Sequence, residues 1–505
     1  MNDQSLSGPG PTAAGTRLDD ASVRAIVAGI MLAMFLSALE QTIVAPALPT
    51  IGRALANVEL LSWVVTAYLI STTVATPLFG KLSDIYGRRR MMLVAVGVFV
   101  LGSVACALAP SMELLIVARA LQGIGGGGLL PLAQTVIADM LSPRERPLIQ
   151  SYTSTMFLAA GILGPVLGGL LTDYVHWSLI FWINLPLGLV ALILSDRVLR
   201  RLPRNERPHR LDLAGAALMV GAALALLLAL AWGGVRYPWT SSTIIGLLAA
   251  SAALWAGFGW RLLRAPEPLI PLTMLAEPVV LGIVMAGFFS IGTIVGLSIF
   301  IPIYVELVLG HSPSASGLVL IAFMTGATFG SMAAGRLMPR LERYKLVPIL
   351  AMPFGIAAMI VFALAPAGLT LTEATILLAV GGAGMGPMWP ATTVIIQNAV
   401  PLHQLGIATG TLSFFRQLGC ALIVAIFAAI VLTGVQGSSL ERLSAADTAA
   451  VAASFRWVFI AAAVFFALAT LSLIAIKTQP LRGPVTAPTA GSVPKSGVPK
   501  SGAID

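Results

Sequence analysis

The chain has 505 residues, of which 57% are hydrophobic and only 10% charged, and its mean hydropathy is +0.93. Soluble domains carry about 25% charged residues, so these charges cannot cover a water-facing surface of this size and most of that surface must face lipid. The net charge of +9 does not read as a nucleic-acid patch, because the basic residues come in short clusters between apolar runs, the pattern that orients a membrane protein. Cys106 and Cys420 both lie inside apolar runs and make neither a disulfide framework nor a metal site.

Residues 1–20 are polar, with Asp3, Asp19 and Asp20, and residues 1–24 read as a cytoplasmic tail. The first apolar run is too long for a cleavable signal and is expected to remain as the first span. Crossing a bilayer takes about 20 apolar residues as helix. Such runs occur at 25–49, 60–80, 91–110, 113–138, 149–172, 179–200, 212–233, 241–262, 278–309, 315–338, 347–366, 372–398, 405–433 and 455–476. The fifth and sixth are parted only around Asp173 to Trp177. With both ends inside, 24 of the 30 lysines and arginines fall on the inner side. Arg53, Arg236, Arg442 and Arg456 fall outside, while Arg119 and Arg416 lie within runs. Losing or adding one span would invert every later loop, so the asymmetry supports an even count, here the 14 runs, with both termini cytoplasmic. Six arginines between Arg197 and Asp212 divide the first six helices from the rest. The expected organisation is a six-helix bundle over 25–201, a linker with two extra helices over 202–265, and a second six-helix bundle over 266–477. Residues 478–505 repeat Val-Pro-Lys-Ser-Gly and read as a disordered cytoplasmic tail.

Between the second and third runs stands Gly80-Lys81-Leu82-Ser83-Asp84-Ile85-Tyr86-Gly87-Arg88-Arg89-Arg90. The glycines permit a tight turn that faces an acid with arginines. By spacing alone this is either a functional latch or a charged loop that only fixes topology. The first run carries Leu39-Glu40-Gln41-Thr42-Ile43-Val44-Ala45-Pro46-Ala47-Leu48-Pro49, and the fifth Gly164-Pro165-Val166-Leu167-Gly168-Gly169. Further on come Phe181-Trp182-Ile183-Asn184-Leu185-Pro186-Leu187-Gly188 and Arg416-Gln417-Leu418-Gly419. The turn resembles the G-x-L-x-D-x-x-G-R-[RK] signature of the major facilitator superfamily. The other segments resemble signatures of its 14-helix drug:proton antiporters, with Gly164, Pro165, Gly168 and Gly169 as the antiporter motif. The resemblance covers residues 25 to 476. It departs at Glu40, where Asp is commoner, at Ala160, where Gly is frequent, and at Trp177-Ser178-Leu179, which lacks an arginine common there. It implies an all-α major facilitator fold of two six-helix bundles with inverted repeats and two inserted helices.

Four charged residues within the spans carry the chemistry. Glu40 lies about 24 Å along the helix axis from Arg24. A carboxylate in hydrocarbon must face a wet cavity, be paired or be protonated, which suits a reversible proton carrier; otherwise it is a neutral helix-packing acid. Arg119, followed by Gln122-Gly123, resembles the superfamily's R-x-x-Q-G motif, whose arginine is implicated in proton transfer. Without that role, it snorkels to the surface. Glu306 is four residues from Gly310, within reach of either a cavity or water. Arg416 serves either transport or helix tethering. These four are the proton-coupling candidates. Gly80, Asp84, Gly87, Arg88 and Arg89 form the candidate latch, and the resemblance implies that Asp84 meets the amino end of a helix, either in the same bundle or across the bundle interface. Gln41, Trp63, Tyr68, Gln122, Met385, Trp389 and Gln397 are candidate cavity residues on helices that line the cavity in the family.

Other patterns read as decoys. Gly123 to Gly128 satisfies G-x-G-x-x-G within a span, where small residues pack helices closely rather than bind a dinucleotide. No phosphate-binding G-x-x-x-x-G-K-[ST] occurs, so no ATP is expected. His176, His209, His311 and His403 lie at helix margins without ligand spacing, so no metal or other cofactor is expected. The resemblance implies a multidrug exporter of the inner membrane that moves lipophilic small molecules against protons by alternating access. A monomer suffices for it. Substrate identity is not written in the motifs, so a dedicated carrier of one metabolite, lipid or siderophore stays open. A sensor or membrane enzyme is the remote alternative.

Overall fold

The computed structural model describes residues 20–55, 57, 60–199, 212–234, 236–434 and 445–477. The arginine-rich linker over 200–211 and the tails over 1–19 and 478–505 lie outside the described residues. Apart from one isolated bridge between Gly233 and Tyr237, the regular structure of the described residues is helical, joined by turns and short loops. In hydrocarbon every peptide group must be paired within its own segment, and long apolar runs meet that demand as helices. The first bundle comprises α1 (Asp20–Ile43), α2 (Leu61–Tyr86), α3 (Arg88–Ala107), α4 (Met112–Met140), α5 (Arg146–Tyr174) and α6 (Asn184–Leu199). The inserted pair is α7 (Leu213–Trp232) and α8 (Ser242–Arg264). The second bundle comprises α9 (Pro278–Leu307), α10 (Pro313–Leu337), α11 (Leu346–Leu364), α12 in halves Leu371–Met385 and Met388–Ala399, α13 (Leu405–Gly434) and α14 (Ala445–Ala475).

Side chains close several ends. Ser111, Ser241 and Ser312 accept from backbone N–H groups at the starts of α4, α8 and α10, and Thr370 with Glu373 makes a reciprocal capping box on α12. Three spans differ from the sequence expectation, among them the sixth, which begins as a short helix at Leu179–Trp182 and continues as α6 from Asn184. The first is not one straight helix: α1 ends at Ile43, and Ala45–Ala47 and Leu48–Ala54 continue the span as a short 3-10 turn and helix. Pro46 and Pro49 each remove a backbone donor there. The twelfth is broken at Gly386–Pro387 because Pro387 cannot donate to the preceding turn. Thirteen described segments are therefore long and apolar enough to cross a membrane, and the two halves of α12 make the fourteenth.

Lys81, Arg88 to Arg90, Arg144, Arg261, Arg264, Arg336, Arg340 and Arg343 gather at one end, here the basic end. Two apolar clusters fill the first bundle and one large cluster fills the second. α7 lies along the seam between bundles, where Ala223 and Leu227 join Ile70 of α2 with Phe414 and Leu418 of α13. Polar contacts between the bundles fall in the basic half. Thr73 Oγ1 donates to Gln417 Oε1 (2.9 Å), and Gln417 Nε2 donates to Thr76 Oγ1 (3.1 Å). Ser154 Oγ meets Ser331 Oγ at 2.8 Å, and Gln397 Nε2 donates to the Gln134 carbonyl at 3.2 Å.

Candidate transport site

Glu40 and Arg119 form an ion pair inside the first bundle, with Glu40 fully buried and Arg119 1% exposed. Asn184 Nδ2 at the start of α6 donates to the second carboxylate oxygen at 2.5 Å and to Ser103 Oγ of α3 at 3.1 Å. Arg119 also donates to the Val64 carbonyl (2.9 Å) and Gln122 Oε1 (2.6 Å), and Gln122 Nε2 donates to Ser103 Oγ (2.6 Å). The guanidinium lies 4.3 Å from the centre of the Tyr68 ring. Five helices thus converge on one buried polar knot. Such a knot persists in a dry interior because both charges are paired and most remaining donors are spent.

The knot borders a close crossing of α1 and α5. A methyl on Gly164 would lie 2.0 Å from Thr42 Oγ1, and one on Gly168 would lie 2.2 Å from the Ile43 carbonyl. Thr42 Oγ1 in turn donates to the Ala160 carbonyl at 2.8 Å. Two glycines of the antiporter motif therefore bring α5 against the turn that follows Glu40, whereas Gly169 faces open space and Pro165 is exposed.

At the basic end Asp84 joins the bundles. Its carboxylate accepts from the backbone N–H groups of Gly406 (3.1 Å) and Ile407 (2.7 Å) at the start of α13, where the helix dipole favours an acid. Of the two placements the sequence left open, same bundle or across the interface, the structure has the second. Gly80 permits the approach, since a methyl there would lie 2.6 Å from the Gly406 carbonyl. Gly87 turns the chain at φ 88°, a conformation that favours glycine. Arg88 pairs with Asp84 and donates to Asp139 of α4 at 2.8 Å, while Arg89 pairs with Asp196 of α6.

In the second bundle Arg416 is 3% exposed. It donates through Nη2 to Thr392 Oγ1 (2.5 Å), Thr393 Oγ1 (2.9 Å) and the Trp389 carbonyl (3.2 Å), and lies 4.8 Å from the centre of the Trp389 ring.

A family model described as Major Facilitator Superfamily matches residues 30–424. The chain belongs to the major facilitator superfamily. An uncharacterised MFS-type transporter of Mycobacterium tuberculosis is 34% identical over 83% of this chain, and the match spans only 61% of that relative's length. Multidrug resistance protein 3 of Bacillus subtilis is 32% identical, covering 82% of this chain and 81% of the relative. The multidrug transporter protein MdtP of the same organism is 32% identical over 78% of this chain and 72% of its own length. Among solved structures, the proton:xylose symporter XylE superposes with a TM-score of 0.60 at 15% identity, covering 89% of this chain and 96% of XylE. That likeness shows the fold. Membership also sets aside the enzyme alternative.

The major facilitator frame gathers some predicted residues and scatters others. Tyr68 and Gln122 join Glu40 and Arg119. Trp389 joins Arg416 and meets Phe157 of α5 across the bundle seam, ring centres 5.2 Å apart. Gln397 is at the basic-end seam, and Gln41 is exposed with its amide bonded to the Ser37 carbonyl. Met385 is instead buried against Gly355 inside the second bundle, and Trp63 packs on Trp232 of α7. Glu306 is exposed and accepts from Ser316 Oγ at 2.7 Å. Among the described residues no further side-chain hydrogen bond or ion pair joins it. The glycines at 123–128 pack tightly: methyls on Gly123 and Gly127 would lie 2.5 Å from the carbonyls of Tyr68 and Thr72. Sequence reasoning missed Asn184, Ser103 and Gln417. Asn184 stood inside a recognised motif, and an amide in an apolar run is a signal that was available.

Proposed function

We propose that the protein is a secondary active transporter that exports lipophilic, drug-like small molecules from the cytoplasm in exchange for protons. It would work in the cytoplasmic membrane with both termini inside. The observation that carries this reading is the Glu40–Arg119 pair, buried at the centre of five helices. Its only ionisable acid is Glu40, and neutralising that acid leaves Arg119 without a counter-charge.

The bonds at the seam support an outward-facing conformation: the basic half is joined by Asp84, Gln417, Ser154 and Gln397. A proton arriving from outside neutralises Glu40. Arg119 keeps Gln122 and the Val64 carbonyl as partners, so the pair loosens without stranding every donor. The change reaches α5 through Thr42, two residues on, which is bonded to Ala160. α5 also carries Ser154 to its bond with Ser331 of the second bundle. Proton binding at Glu40 thereby biases the seam, and a substrate loading from the basic end competes with the proton. The relatives named as multidrug proteins support a broad, lipophilic substrate class.

The test is uptake of a neutral lipophilic dye into inside-out vesicles with an imposed pH gradient. Wild type accumulates the dye only when the gradient is present, and Glu40→Gln does not respond to it. Undiminished gradient-driven uptake by Glu40→Gln would refute the proton role.

A further inference from the structure

The cores of the two bundles are unequal in charge. In the first, Glu40 neutralises Arg119. In the second, Arg416 makes no ion pair among the described residues. Its three hydrogen bonds are all made by Nη2, which leaves Nε and Nη1 buried and without partners. A guanidinium cannot shed its charge, and a lone buried cation is costly until a counter-charge arrives.

The surroundings are those of a subsite. The Trp389 ring lies over the guanidinium, and its Nε1 is also buried and unpartnered. Beyond it stands Phe157 from the opposite bundle. At Gly287, α9 presents no side chain to Arg416; a methyl there would meet Leu412 Cδ1 at 2.9 Å and lie 3.5 Å from Nε. The neighbouring Gln417 is bonded across the seam to α2, so this turn of α13 borders the surface that parts when the bundles rock.

We propose that Arg416 is the anion subsite of the transport pathway and takes the carboxylate of an amphipathic organic acid. The acid's apolar body lies between Trp389 and Phe157. The inference rests on the export reading for its direction. When the basic end opens, Phe157 withdraws from Trp389 and the acid enters. When the basic end closes, the two rings come together, as they are here, and the acid is expelled on the far side. The unspent N–H donors fit a carboxylate, and an aromatic face fits an aryl or alkyl body.

The test is equilibrium binding, without any gradient, to the full chain in lipid nanodiscs. The probes share one body and differ in charge: 1-naphthaleneacetate, its neutral amide, and 1-naphthylmethylammonium. Wild type should prefer the acid over the amide by about tenfold and bind the ammonium weakest, the scale of one charge-assisted hydrogen bond. Arg416→Gln should lose that preference while keeping its affinity for the amide, which also reports that the variant is folded. Arg416→Lys should keep part of it. A wild type that does not prefer the acid overturns the proposal with no variant needed, as does an Arg416→Gln protein that retains the preference. Chloride displacing the acid as fully as excess unlabelled acid does would assign the cation to a small inorganic ion and overturn it too. Acid binding without gradient-driven movement would instead sink the export reading and leave the subsite standing.

Discussion

Glu40 and Arg119 sit where neither can be solvated, and each is tolerable only because of the other. Removing one partner of such a pair leaves a bare buried charge and costs about 3–5 kcal/mol. Replacing both with neutral isosteres costs far less. Glu40→Gln should therefore lower the thermal midpoint of the purified protein, and the Glu40→Gln/Arg119→Gln double variant should recover most of that loss. Neither should restore gradient-driven transport. Thermal scanning beside vesicle uptake separates the two effects, and equal destabilisation by the single and double variants would show that the charges do not compensate. At this scale the sequence was legible where a residue was charged, because an ionisable group in an apolar run has few explanations. It was silent on partners. Asn184 lies 144 positions from Glu40, and no local pattern links them. The pattern was equally mute about Met385, whose neighbours are set by the break in α12 rather than by its own chemistry.

The candidate latch belongs to the scale of elements, since Asp84 joins the carboxyl end of α2 to the amino end of α13. Two backbone N–H groups and a helix dipole hold one carboxylate. Hydrogen bonds to a charged group contribute about 1.5–3 kcal/mol, so Asp84→Asn should shift the balance between open and closed basic ends by about tenfold or more. Turnover should fall while substrate affinity stays within about threefold, the margin expected of context-dependent effects. Initial-rate kinetics in proteoliposomes read both. Collapse of affinity with intact turnover would place Asp84 in the binding site instead. The signature in the turn foretold the acid and its glycines, because a sharp turn and a close approach need those residue types. It did not foretell which helix the acid would meet. That depends on Gly406, 322 positions away, lacking a side chain.

For the whole molecule, closure at the basic end makes a geometric prediction. Ser154 and Ser331 come from different bundles and face each other with hydroxyls 2.8 Å apart, which makes the pair a site to cross-link by a disulfide of about 2.05 Å. In a background without Cys106 and Cys420, the Ser154→Cys/Ser331→Cys pair should oxidise to a disulfide and stop transport, and reductant should restore it. Transport that continues in the fully oxidised protein would mean that these helices do not separate. Orientation has its own check. A cysteine at Asn205, outside the described residues, should label only with membrane-permeant reagents, and one at Ser439, also outside them, should label from outside. Labelling of Asn205 from outside would sink the 14-span topology.

The seam helix α7 adds a further consequence. Its contacts with Ile70, Phe414 and Leu418 are apolar, and apolar contact is non-directional, with a strength that follows area rather than alignment. Among the described residues this seam therefore holds no directional bond that must break when a bundle moves relative to α7. The polar contacts have no such freedom, because a hydrogen bond weakens steeply once its angle is lost. In the proposed exchange cycle, the contacts that must break in a directional way would then be the few polar bonds of the basic half.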